Sequence, residues 1–285
     1  MKFDFREAFL IFIRGLMMGS VEIVPGVSAG TIAIVTGIYE RLIDSISKIS
    51  FSFVKPLFKR DFSDFKKKFF NEIDFELFIP LLIGMGIAVL SVSKLISYAM
   101  DVHTSFTYSF FFGLILASAI IFFRKLNAVT IKNILTAIIG FVFAFIFVSL
   151  NPIAANHTLP IVFISGFIAI CAMMLPGISG SFLLLLLGQY DFMLNALHQL
   201  RLPEIITFIV GALIGILSFS RFLNYLLKHH EQTTMSLLIG VMLGTLRIPF
   251  EIASSSIALT SVNIILCLIC GIVGLVIIVL LERLL

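Results

Sequence analysis

The chain has 285 residues, 60% of them apolar and 13% charged, and its formal net charge is +4. A soluble domain carries about 25% charged residues, so this chain lacks the polar material for a water-facing skin. With a mean hydropathy of +1.14, a soluble globular fold and a disordered chain are both excluded. The apolar runs are long and continuous rather than short and alternating, which points to a polytopic helical membrane protein and not to a barrel.

The elements follow in chain order. The N-terminal segment (Lys2, Asp4, Arg6, Glu7) places its charges close to the first apolar run and has no small-residue cleavage site, so no cleaved signal peptide is expected. An apolar stretch from about 5 to 46 is interrupted at Pro25-Gly26. Loop 47–75 follows, with seven Lys and Arg between Lys48 and Lys68. It alternates Lys with Phe and is expected to form an amphipathic helix on the anionic leaflet. Spans are expected near 76–98, 104–124 and 132–150, since about 20 apolar residues cross a bilayer. A second interrupted stretch, 161–198, breaks at Pro176-Gly177. Further spans are expected near 204–227, 233–250 and 261–281.

Proline removes a backbone donor and pushes its predecessor out of the α region. In hydrocarbon, such breaks are tolerated only inside protein or beside a cavity. Each Pro-Gly stretch therefore reads as a re-entrant hairpin, with a kinked full span as the alternative. With both termini and loop 47–75 in the cytoplasm, Arg124, Lys125, Lys132, Lys228 and Arg283 also fall on that side. Loops 151–160 and 251–260 carry no Lys or Arg. This is the positive-inside pattern, so the basic residues report topology and no nucleic-acid partner is expected. Cys171, Cys267 and Cys270 lie in apolar runs, and neither they nor the five histidines are spaced for a metal. No cofactor is expected.

Two windows repeat. RGLMMGSVEIVPGVSAGTIAIVTGIYERLIDSI (14–46) aligns with SGFIAICAMMLPGISGSFLLLLLGQYDFMLNAL (165–197). Gly15 meets Gly166, Ser28 meets Ser179, Gly37 meets Gly188, Tyr39 meets Tyr190 and Glu40 meets Asp191. After a shorter loop, Ser93-Lys94 meets Ser220-Arg221 and Tyr98 meets Tyr225. Each repeat holds one hairpin and three spans. A hairpin adds an even number of crossings, so the second repeat must be inserted upside down. The expected fold is an all-α polytopic membrane protein of two inverted repeats, residues 1–150 and 151–285. Many secondary transporters are built this way, with sites on discontinuous helices at the repeat interface.

The segments MGSVEIVPGVSAGTIAIVTGIYERL (18–42), LPGISGSFLLLLLGQY (175–190), Ser93-Lys94, Ser220-Arg221 and LGTLR (243–247) resemble the PopT-type polyprenyl-phosphate transporters. The likeness covers nearly the whole chain, with Ala29 where the family pattern suggests glycine. It implies translocation of undecaprenyl phosphate across the cytoplasmic membrane, recycling the lipid carrier of cell-wall synthesis, with no catalytic residues.

The residues point separately to an anion. After each Pro-Gly a helix begins at a serine, and helix starts offer unsatisfied N–H groups to phosphate. The candidate binding residues are Gly26, Ser28, Gly30, Thr31, Gly177, Ser179, Gly180 and Ser181, with Lys94, Arg221 and Arg247 as cationic stations. Simple capping by the serines, headgroup snorkelling by Lys94 and Arg221, and pairing of Arg247 with Glu251 are the structural alternatives. Glu22, three residues before Pro25, is expected to titrate or to pair with Arg14 or Arg41, or else to cap the facing hairpin. Glu40 and Asp191 are expected to tie a hairpin arm to its loop. Two other functions remain open. Undecaprenyl-diphosphate phosphatases also look like inverted repeats with re-entrant Pro-Gly-x-Ser segments, but their serine is followed by Arg, where this chain has Ala29 and Gly180. A small-anion transporter is the third reading. No nucleotide-binding G-x-x-x-x-G-K-[ST] motif is present.

Overall fold

The computed structural model describes residues 5–24, 27–52, 56, 60–127, 129–152, 156–257 and 260–284. Among them the chain is helical throughout. The first interrupted stretch forms α1 (Phe5–Glu22), α2 (Ala29–Val35) and α3 (Tyr39–Ser47). A surface helix α4 (Phe62–Glu72) precedes α5 (Phe75–Ser91), α6 (Ser93–Val102), α7 (Thr104–Arg124) and α8 (Ile131–Phe147). The second interrupted stretch forms α9 (Leu159–Met173), α10 (Gly180–Leu186) and α11 (Tyr190–His198). The chain ends in α12 (Leu202–His229), α13 (Glu231–Thr245), α14 (Arg247–Ser255) and α15 (Ser261–Leu284).

Four helical stretches are long and apolar enough to cross a membrane: Thr104–Arg124, Leu202–His229, Glu231–Ser255 and Ser261–Arg283. The number rises to six if the bent pairs α4–α5 (67°) and α10–α11 (107°) each count as one span. The sequence reading expects one helix at 76–98 and one at 233–250. The first is two helices instead, joined at Val92, whereas the second is one helical stretch, Glu231–Ser255, with a local irregularity at Leu246. Each hairpin likewise has a divided second arm, because a glycine bends it. Gly37 and Gly188 take φ of +72° and +61°, a left-handed conformation that costs other residues energy.

Apolar surface is distributed inside out. The core is built on α2, whose seven residues are all buried, and on α7 and α13. By contrast α15 has a span hydropathy of 3.5 and only 11% of that span buried. Water would not tolerate that surface; lipid does. Helix α4 buries no residue and packs the tilted rings of Phe69 and Phe70 against Phe75 at the start of α5.

Small residues set the close helix crossings, as expected where packing replaces the hydrophobic drive between helices. Gly15 of α1 lies against Leu81 of α5, and Gly166 of α9 against Phe208 of α12. Gly84 lies against Phe12, and Gly211 against Phe163. Gly113 of α7 meets Gly271 of α15, while Gly240 of α13 meets Ala137 of α8. Gly274 meets Phe110, and Gly140 meets Leu237. In every case an added Cβ would collide with the facing backbone. The four principal helix pairings are thus α1 on α5, α9 on α12, α7 on α15 and α8 on α13.

Candidate functional site

The start of α2 meets the second Pro-Gly break. Val24 closes a turn on Val21 at the end of α1 (N···O 3.0 Å), and Pro25 and Gly26 lie outside the described residues. Ser28 then takes extended backbone angles (φ −114°, ψ 134°), which lets its side chain reach forward over α2. Its Oγ accepts from the Gly30 amide at 3.1 Å and donates to the Leu175 carbonyl of the second hairpin at 3.3 Å. One hydroxyl therefore caps α2 and ties the hairpins together.

A second tie lies close by. The buried Tyr39 hydroxyl, at the start of α3, donates to the Met174 carbonyl at 2.9 Å. Met174 and Leu175 end α9, where helix carbonyls lack intrahelical donors. The first hairpin supplies the missing donors. A Cβ on Gly30 would sit 3.5 Å from the Pro176 Cα, so α2 begins at van der Waals distance from the second break. Gly177, at φ +88°, leaves no room on its other side: a Cβ there would stand 2.7 Å from the Thr245 hydroxyl on α13.

Glu22 is the last residue of α1, and its carboxylate accepts from the Ala29 amide at 3.0 Å. It caps the second helix of its own hairpin, an anion already at a helix start. Arg41 is committed elsewhere, pairing with Glu7 at 2.5 Å and Asp74 at 3.2 Å. Arg14 sits partly buried on α1, and Glu40 is exposed on α3. Thr31 is fully buried, and its hydroxyl has no hydrogen-bond partner among the described residues. In the second break, Ser179 Oγ and Ser181 Oγ lie 2.7 Å apart, and the Ser179 side chain caps no backbone amide of the helix it precedes. Gly180 is buried beside them. Because α2 and α10 have only seven residues each, their macrodipoles are short. Hydroxyls and glycine-exposed backbone carry the polarity here.

The cationic candidates stand apart from the breaks. Lys94 is exposed on α6. Arg221 on α12 donates to the carbonyls of Ser47 (3.4 Å) and Ile49 (2.8 Å), capping the end of α3. Arg247 pairs with Glu251, donates to Ser149 and lies 4.6 Å above the Phe145 ring. Asp191 is exposed at the start of α11. Sequence reasoning missed three features: the Tyr39 bridge, Thr245 beside Gly177, and a polar seam of Asp44, Asn224 and Lys228. Only the first had left a signal, the repeated Gly-x-Tyr. The described residues contain no cluster of His, Cys, Asp and Glu fit for a metal.

Comparison with known proteins gives a consistent result. A family model described as VCA0040-like, undecaprenyl phosphate translocase-like, matches residues 18–264. A polyprenyl-phosphate transporter of Vibrio cholerae is 41% identical over 235 residues, covering 82% of this chain and 75% of that protein. A polyprenyl-phosphate transporter of Staphylococcus aureus is 33% identical over 281 residues, covering 92% of this chain and 93% of the relative. No solved structure matches the chain. The apolar exterior and these matches agree: the chain belongs to the VCA0040-like family of undecaprenyl phosphate translocase-like membrane transporters.

Proposed function

We propose that this protein moves a polyprenyl phosphate, undecaprenyl phosphate in the first place, across the cytoplasmic membrane, and that the phosphate passes between the two Pro-Gly breaks. One observation carries the site. The two hairpins abut through Ser28 and Leu175, and beside them Thr31 keeps a fully buried hydroxyl with no hydrogen-bond partner among the described residues. A buried polar group without a partner costs about 1–3 kcal/mol, and a phosphate oxygen passing the breaks would satisfy it. Gly26, Gly30, Gly177 and Gly180 let the ligand approach the backbone, and Ser28, Ser179 and Ser181 add donors. The prenyl chain stays in lipid along the apolar exterior. Lys94 and Arg247 serve as outlying attractors for phosphate, and Arg221 joins them when it leaves the end of α3. Glu22, already an anion at the start of α2, competes with phosphate for the Ala29 amide, and its protonation would free that amide.

The architecture proposed for this function is two inverted repeats, 1–150 and 151–285, with both termini cytoplasmic. The duplicated glycine register supports it: Gly15–Leu81 is matched by Gly166–Phe208, and Gly113–Gly271 by Gly240–Ala137. The basic residues between Lys48 and Lys68 support the cytoplasmic placement. Ser28, Thr31 and Ser179 are at most 1% exposed, so a phosphate reaches them only after the hairpins part. This favours alternating access over a standing channel.

The test is uptake of a short-chain polyprenyl phosphate into proteoliposomes. Wild-type protein should transport it, and Thr31→Val and the Ser28→Ala/Ser179→Ala double variant should each lower the rate at least tenfold at unchanged expression. Release of inorganic phosphate from the diphosphate lipid, or transport untouched in both variants, would sink this reading. A Glu22→Gln protein with wild-type transport at every pH would remove the competing-anion role.

A further inference from the structure

We propose that the seam between α3 and α12 is a closed gate on one face of the protein, and that docking of α11 on α6 makes the equivalent gate on the opposite face. The proposal rests on the two-repeat reading above.

The observed seam is dense. On α12, Arg221, Asn224 and Lys228 recur at the spacing of one helix face. Asp44 and Ser47 face them from α3. Lys228 Nζ lies 2.5 Å from Asp44 Oδ1, and the Asn224 amide donates to Asp44 at 3.1 Å and to Ser47 Oγ at 2.8 Å. Arg221 closes the row on the Ser47 and Ile49 carbonyls. Beneath these groups Ile43 and Leu223 are each 2% exposed, so the seam seals a dry contact. Asp44 lies outside the helices long enough to span, and the ammonium groups of Lys228 and Lys48 hold its carboxyl down at about 2, so it stays charged at any physiological pH.

The repeat supplies a second set of the same parts. Aligned with Arg221, Asn224 and Lys228 are Lys94, Ser97 and Asp101 on α6. Aligned with Asp44 and Ser47 are Asn195 and His198 on α11. All five are exposed, and none of their side chains makes a hydrogen bond or ion pair among the described residues. Helix α11 packs along α10 and α12, with no counterpart of the α3–α12 seam on α6. The two faces are chemically complementary. Asn195 can donate to the Asp101 carboxylate, His198 can meet Ser97, and the Lys94 ammonium can cap the end of α11 as Arg221 caps α3. The second seam lacks the ion pair of the first, since Asn195 stands where Asp44 stands. The conformation with α3 closed on α12 is therefore the resting one, and the breaks open toward the other face when the seams exchange.

The experiment reads both seams by cysteine cross-linking, in a background with Cys171, Cys267 and Cys270 replaced by Ser. One protein carries Ser47→Cys with Asn224→Cys, the other Ser97→Cys with His198→Cys. Both are oxidised in proteoliposomes that contain no polyprenyl phosphate, so the result does not depend on the substrate. The first pair should cross-link quickly and the second slowly. Asp44→Lys should speed the second pair roughly tenfold, the scale of one exposed ion pair plus one charge-assisted hydrogen bond. Asn195→Lys, on an exposed position that leaves folding undisturbed, should speed it similarly by giving Asp101 a cationic partner. Either cross-link should stop transport until it is reduced. A second pair that never cross-links in either variant would overturn the proposal, as would a 47–224 cross-linked protein that transports at full rate. If wild-type vesicles move no polyprenyl phosphate while the cross-links behave as described, the substrate reading fails and the gate stands.

Discussion

The two hairpins share a sequence pattern and differ in what they touch. Around the first break, α2 is buried along its whole length, Ser28 and Tyr39 reach across to the second hairpin, and α3 is fastened to α12. Around the second, only Gly180, Leu183 and Leu186 of α10 are buried, Ser179 bonds Ser181, and Asn195 and His198 stand exposed on α11. Tyr190, the partner of Tyr39, makes no hydrogen bond among the described residues and lines a shallow apolar cavity of about 270 Å³ with Met193 and Leu194. The bends themselves agree, since Gly37 and Gly188 share the left-handed conformation. Local geometry therefore follows the repeated residues, whereas the tertiary contacts sort into a docked hairpin and a loose one. The proposed exchange of seams accounts for this form, because closing α3 on α12 leaves the equivalent α11–α6 seam open.

The largest expected effect tests whether the scaffold under this asymmetry is itself symmetric. Gly113→Val and Gly240→Val each drive a side chain into facing backbone, at Gly271 and Ala137. Each should destabilise by about 1–3 kcal/mol or more, the usual penalty of overpacking. The two losses should agree within about 0.5 kcal/mol, the scale at which ordinary surface changes are felt. Thermal unfolding in detergent measures both, and a large inequality would mean that the α7–α15 and α8–α13 crossings are not equivalent.

Next comes the tyrosine pair. Tyr39→Phe leaves the Met174 carbonyl without its donor in a buried site, which costs about 1–3 kcal/mol. Tyr190→Phe removes a hydroxyl that bonds to no described residue and should be nearly silent. Equal melting shifts for the two would contradict the distinction between docked and loose hairpins. The serines repeat the comparison at smaller scale. Ser28→Ala removes an N-cap and a cross-hairpin bond, for about 1 kcal/mol, while Ser179→Ala loses only its contact with Ser181. The sharper form of the test is transport: if phosphate uses both breaks alike, the two single variants should lower the rate equally despite unequal stability.

How much of this was legible beforehand differs by level. The break positions were legible because Pro, Gly and Ser impose local backbone rules that a doubled pattern makes visible. The division of 76–98 at Val92 was not, since Val92 carries no helix-breaking chemistry. Partners of charged residues were the least legible. Arg41 is one of two arginines that the sequence offers to Glu22, yet it reaches Glu7 and Asp74. Arg221 was read as a phosphate station, and here it caps α3. A long flexible cation can reach many acceptors, so its choice depends on which helix ends the fold brings within range. Sequence spacing does not encode that.

The smallest expected effect is a null one, and it bears on what drives the exchange of seams. Asp44 faces Lys228 and Asn224 on α12 and Lys48 on its own helix, with Arg221 one turn away. Its folded pKa is depressed from 3.8 to about 2. A depressed carboxyl contributes its full stability above the ordinary value, and loses it only as pH falls through the folded one. The distance between spin labels attached at residues 47 and 224 before the titration should therefore stay constant between about pH 8 and about pH 5, above both values and below the usual titration of lysine. If the labels instead moved apart as pH fell in that window, the charge controlling the seam would have to lie outside it. Glu22 at the start of α2 would then be the group to mutate next, because it is the carboxylate that lies beside the breaks rather than at the seam.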